Sequence, residues 1–206
     1  MVFSDLPPQQ QSRVVCAVSA AVRYQIPANI VLAVAEQEGG HPGQWVPNTN
    51  GTYDVGSMQF NTAYLRGLAH YGITPKDVAA AGCYAFDLAA WRLRQHLLHD
   101  KGDMWTRVAD YHSRTPSINA PYRHKIMVRA ARWATWLDAH FVTYDVTPGR
   151  RPALHSPKST PVDDAVLASS SMPAQAPVHV TAAEKPAPMA PYVPRGIVVL
   201  SDRNEQ

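Results

Sequence analysis

Glu38 is the residue of this chain best suited by type and position to acid–base chemistry. It closes an apolar run, I-V-L-A-V-A-E-Q-E-G-G starting at Ile30, and a polar, glycine-punctuated stretch follows, ending in D-V-G-S-M-Q-F-N. At about 100° per residue, Ile30, Val31, Val34 and Ala35 spread over one arc of a helix; Glu38 falls in the middle of that arc and Glu36 points away. A carboxyl group on a core-facing stripe is desolvated, which favours its neutral form and makes it a proton donor near the operating pH. A carboxylate there could also simply end the helix in an ion pair, and the segment that follows favours the first reading.

In that segment Gly39, Gly40 and Gly43 end the helix, and Asn48, Asn50, Gly51 and Asp54 form a polar, turn-rich connection to Gly56. Such a loop can approach a polar polymer closely. At this point the chain resembles the lysozyme-like lytic transglycosylases of the soluble lytic transglycosylase superfamily. That family has a Glu near the end of a helix, then a G-L-M-Q-type motif, then an A-Y-N-type motif. Glu38, Gly56-Ser57-Met58-Gln59 and Asp110-Tyr111-His112 match the three in order. E-G-G, N-T-N-G-T-Y-D-V-G-S-M-Q-F-N and Y-H-S-R-T-P look most like the small specialised enzymes attached to secretion, conjugation and pilus machines. The resemblance spans roughly residues 10–142.

The resemblance implies a mainly α, lysozyme-like domain with a catalytic cleft that cuts the glycan strands of peptidoglycan. It implies Glu38 as the catalytic acid and then base, with Asn48, Ser57, Met58, Gln59, Asn61, Tyr111 and His112 as substrate-binding residues. No cofactor and no metal are implied. It also implies a disulfide, because related enzymes often pair a cysteine of the first helix with one before a later helix, and Cys16 and Cys83 sit in the corresponding places. A disulfide would mean an oxidising compartment, here the periplasm or cell wall. Two departures from the pattern stand out: Gly39 replaces a serine and His112 an asparagine, both at positions that usually help hold the acid or the substrate.

Ordinary glycosidases use two carboxylates, and Asp54 is the sequence-local candidate for the second. If it faced Glu38, hydrolysis by a lysozyme-type muramidase would be the outcome; an Asp in a turn more often serves its own backbone. A catalytically silent wall-binding scaffold is the third possibility. It conflicts with a retained carboxylate at a buried helical position, which carries a desolvation cost.

Composition sets the frame for these residues. The chain has 206 residues, 46% apolar, enough for one core. The formal charge of +3 comes from scattered basic residues, not a nucleic-acid footprint. The nine histidines are dispersed and no C-x-x-C or H-E-x-x-H spacing occurs, which argues against a metal centre. No window approaches a membrane span of about 18 apolar residues. The first residues lack a basic n-region, and Val14 to Val22 belongs to an amphipathic helix holding Cys16, so an export route is not legible here.

The pattern predicts helices over 9–25, from Pro27 to Glu38, over 61–71 with Tyr64, Leu65 and Leu68 inward, from Pro75 to Gly82, and over 84–99. His96 and His99 on the last of these read as a solvated face, and Trp91 as core. Asp103 caps the next helix, which delivers Asp110-Tyr111-His112 to a loop, and Pro121 starts the final helix with Ile126, Ala130, Trp133, Leu137 and Phe141 on one face. The catalytic domain is expected to be 1–145. Residues 146–206 hold ten of the eighteen prolines and no tryptophan. They read as a disordered Pro/Ala/Ser-rich tail or tether to an envelope-spanning machine, in which only Tyr192 to Leu200 looks able to dock as a strand.

Overall fold

The computed structural model describes residues 5–146, 154–157 and 194–197. The fold is mainly α, as the periodicity predicts. Helices α1 (Pro8–Tyr24) and α2 (Ala28–Glu38) lead into three short strands, β1 (Trp45–Pro47), β2 (Tyr53–Val55) and β3 (Phe60–Asn61). Helices α3 (Thr62–Leu68, continued by a 3-10 turn to Tyr71), α4 (Pro75–Ala79), α5 (Tyr84–His99), α6 (Met104–Ala109) and α7 (Pro116–His140) follow. Strands β4 (Thr143–Asp145), β5 (Leu154–His155) and β6 (Arg195–Ile197) come last.

Helix α2 is the axis of the molecule. Every residue from Ala28 to Ala35 is buried, because this stretch is apolar except for Asn29 and is enclosed by α1, α5 and α7. Gly39, at φ +62°, ends it in the left-handed conformation, and its N–H donates to the Ala35 carbonyl. Arg13 of α1 reaches over the same end, donating to the carbonyls of Ala35 (2.6 Å) and Gly40 (2.8 Å), groups a helix terminus leaves unpaired. Cys16 and Cys83 are joined as a disulfide, Cα–Cα 4.8 Å, which ties α1 to the start of α5.

The segment read as a polar loop is instead a three-stranded antiparallel sheet, β1-β2-β3, with Asp54 opposite Asn61. The strands are too short for an alternating pattern to stand out against the turn residues. The last helix also differs from the expectation: α7 begins at Pro116, and Pro121 lies inside it. Pro121 is exposed, as is Ser117, so the carbonyl to which Pro121 cannot donate belongs to the solvent side of α7.

Two pieces of the expected tail join the fold. β4 is the middle strand of a second sheet, between β5 and β6. The Arg195 N–H donates to Oδ1 of the fully buried Asn29 (3.1 Å), whose Nδ2 donates to the Ala130 carbonyl. The Arg195 guanidinium pairs with Asp138 and Asp145. Gly196 lies under the Tyr144 ring so closely that a Cβ would fall 2.3 Å from Cζ. The strand foreseen within Tyr192 to Leu200 therefore exists between 195 and 197, and it docks on this chain's own α2 and β4. Apart from residues 146, 154–157 and 194–197, the segment 146–206 lies outside the described residues.

Candidate active site

Glu38 is the last residue of α2, and the groups around it come from four other parts of the chain. The Tyr122 hydroxyl of α7 donates to Glu38 Oε1 at 2.6 Å. The His112 ring lies parallel on Tyr122, centroids 4.7 Å apart and planes within 6°. Burial pushes the Glu38 carboxyl up to about 7; the Tyr122 hydrogen bond and the charge of Arg92 oppose this, and the negative charge of Asp54 adds to it. The Tyr122 phenol is held far above its ordinary range, by burial first and then by Glu38, so it stays a donor. Burial lowers the His112 imidazole below its usual value, with Asp54 pulling the other way.

Glu36 differs in every respect. It accepts from Arg132 (2.5 Å) and Trp133 Nε1 (2.8 Å), with Arg129 at 3.5 Å. It is the structural ion pair of this helix end. A groove of about 490 Å3 lies on that side, lined by Arg13, Glu36, Trp133 and Trp136; Glu38 does not line it.

After Glu38, Gly40 packs on the turn between β2 and β3, and that turn on α4, so tightly that neither Gly40 nor Gly56 tolerates a side chain. A Cβ at Gly40 would fall 2.2 Å from the Gly56 carbonyl oxygen and 2.6 Å from Gln59 Nε2, and one at Gly56 2.1 Å from the Val78 carbonyl oxygen. Gln59 has φ +48° and donates from Nε2 to the Gly56 carbonyl (2.8 Å). Asn61 caps α3 through Oδ1 and donates from Nδ2 to Asp54 Oδ1 and Thr52 Oγ1, both 2.9 Å. Asn48 pairs with Thr52 through its backbone and side chain.

The sequence-predicted residues thus separate. The charge of Asp54 reaches Glu38, His112 stacks on the tyrosine bonded to it and Gln59 lies against Gly40, whereas Met58 is fully buried and Ser57 nearly so. Met58 offers the site only its carbonyl, which accepts from the Tyr111 hydroxyl at 3.0 Å. Tyr111 is itself a buried core residue with a satisfied hydroxyl, and it is Tyr122, not Tyr111, that bonds to the acid. The signal for Tyr122 was its i,i+4 spacing with Ile126 and Ala130 on the face assigned to the core, which places it inward but does not name Glu38 as its partner. The loop presenting His112 is held by Asn119, whose Nδ2 lies within bonding distance of Asp110 Oδ1 and the carbonyls of Thr106 and Ser113.

Two residues of α5 complete the surroundings. Arg92 lies against two rings, its Cζ 4.2 Å from the Tyr64 centroid and 4.5 Å from that of Tyr111. His96, expected on a solvated face, is buried, with Nδ1 2.6 Å from Asp100 Oδ2, which in turn binds Arg114; His99 is exposed as expected. Among the described residues no helix is long and apolar enough to cross a membrane.

The chain is similar to Protein IpgF of Shigella flexneri. The two are 31% identical over 101 residues, 48% of this chain and 66% of IpgF. Invasion protein IagB of Salmonella typhimurium is 27% identical over 118 residues, 57% of this chain and 71% of IagB. The chain thus spans just under two thirds of the length of IpgF. No protein-family model matches it.

Proposed function

We propose that this chain is a peptidoglycan lytic transglycosylase that cleaves the β-1,4 bond between N-acetylmuramic acid and N-acetylglucosamine. The observation that carries the reading is Glu38, a carboxyl pushed up to about 7 at the end of a buried helix and bonded to one tyrosine. At neutral pH it is present both as acid and as base, as a single-carboxylate mechanism requires. Glu38 gives its proton to the glycosidic oxygen as the bond to muramic C1 breaks. The carboxylate then takes the proton of that sugar's own C6 hydroxyl, whose oxygen closes on C1 as a 1,6-anhydro ring. Glu38 ends protonated and no water is consumed.

The Cys16–Cys83 disulfide supports a periplasmic or wall-associated location. The likeness to a protein named for invasion supports a place beside an envelope-crossing secretion, conjugation or pilus apparatus, where local opening of the wall is needed. One observation favours a second reading, a hydrolytic muramidase: the charge of Asp54 reaches Glu38. Its carboxylate is already engaged by Asn61, which favours the first.

Mass spectrometry of purified peptidoglycan after incubation with the protein separates the readings. Anhydro ends are the expected result. Reducing ends would make the protein a muramidase, and an absence of products would leave a wall-binding scaffold.

A further inference from the structure

Among the described arginines, all but two donate to an oxygen of the protein. The exceptions are Arg66, which is exposed, and Arg92, which is half-buried beside Glu38. No carboxylate of the described residues forms an ion pair with Arg92, and its Nε is buried without a hydrogen-bond partner. Its guanidinium is held instead by the rings of Tyr64 and Tyr111, contacts that fix position while leaving the N–H edges unspent. Tyr111, under the guanidinium, precedes His112, whose ring lies on Tyr122, the residue bonded to Glu38, and the charge of Arg92 reaches all three of these groups. A half-buried cation with no ion-pair partner carries a desolvation cost, and Met would fill the same space between two rings without that cost. The arrangement fits an anion brought by the ligand, and a planar guanidinium matches a carboxylate through paired hydrogen bonds.

We propose that Arg92 is a carboxylate-binding residue of the cleft, which selects glycans carrying an acidic substituent next to the bond presented to Glu38. This rests on the glycan-cleavage reading. In a wall glycan the carboxylate has two sources: the lactyl ether of muramic acid where no peptide is attached, or the stem peptide.

The test measures binding with the full chain carrying Glu38→Gln, so that no turnover occurs. Three soluble probes are compared: neutral N-acetylglucosamine oligomers, peptide-free muramic-acid strands, and peptide-bearing strands. One acidic probe should bind about tenfold more tightly than the neutral one at low salt, as a charged hydrogen-bond pair warrants, with the gap shrinking as salt rises. Tighter binding of peptide-free strands assigns the lactyl carboxylate; tighter binding of peptide-bearing strands assigns the stem. Adding Arg92→Met should close the gap between acidic and neutral probes. An unchanged gap in that variant, or equal binding of all three probes by the parent, overturns the proposal. Failure of the parent to bind any glycan overturns the cleavage reading as well. If Arg92→Met does not fold, Arg92→Lys decides: it retains charge but not the fork, and an undiminished preference for the acidic probe rejects Arg92 as its reader.

Discussion

The Tyr122 hydroxyl meets Glu38 Oε1 at 2.6 Å across 84 positions of sequence. This bond is the direct link between the long closing helix and the acid, and it opposes the effect of burial on the carboxyl. Tyr122→Phe should therefore raise the Glu38 pKa further above about 7. The basic limb of the activity profile should move to higher pH, and the maximal rate should fall roughly ten- to a thousandfold through lost positioning. Measuring kcat against pH for both proteins checks this; a profile that stays in place would detach Tyr122 from the acid.

Glu38→Gln should fold and lose nearly all glycan cleavage, since the amide has no proton to give. Glu36→Gln should keep the chemistry but lose on the order of 1 kcal/mol of stability, because a half-exposed ion pair with Arg132 and Arg129 is removed. Product analysis and thermal unfolding of both variants distinguish the two carboxylates. Loss of cleavage only in the Glu36 variant would reverse their roles.

The same group makes stability depend on pH. Folded Glu38 holds its proton more tightly than the unfolded chain does, so the folded state gains from this group at low pH. The gain drains away as pH rises from 4.5 through about 7. Glu38→Gln lacks that term. Its stability relative to the wild type should increase across this window and level off above it, as read from denaturant unfolding at each pH.

Of these features, the helices, the position of Glu38 and the cysteine pair were legible in sequence, for different reasons. Helical period and glycine stops are local, so α2 and α5 could be read from consecutive residues; the cysteine pair came from a family resemblance. Pro121 reads as a helix start but sits, exposed, inside α7, and Tyr122 lay on the inward face of either helix; its bond to Glu38, 84 positions away, is what no local pattern names. Met58 and Tyr111 take binding roles from the motif; in the fold both are buried, and the Tyr111 hydroxyl donates to the Met58 carbonyl. β6 was half legible: its apolar run reads as a strand, but its partner Asn29 lies 166 positions away and no local pattern names it.

Reduction of Cys16–Cys83 should cost on the order of 4 kcal/mol in the chain-entropy picture for a separation of 67 residues. Non-reducing mass analysis of protein from its native compartment should find no free thiol. Two free thiols there would remove the argument for an oxidising address.

Truncation after residue 146 should lower the melting temperature. It removes β6, leaving the buried Asn29 Oδ1 without the Arg195 N–H and depriving Asp138 and Asp145 of their cation. An unsatisfied buried amide oxygen alone costs about 1–3 kcal/mol. A truncated protein that melts with the full chain would show that β6 contributes nothing to the domain.

Enclosure of α2 on every side has a dynamic consequence. Amides in such a helix exchange with solvent only when the whole domain opens, so α2 should be among the last segments to take up deuterium. The acid then rides on the stillest part of the molecule. If the chain cleaves glycan as proposed, adjustment to the polymer falls to less enclosed parts such as the short β1-β2-β3 sheet, whose amides should exchange first and slow when glycan is bound.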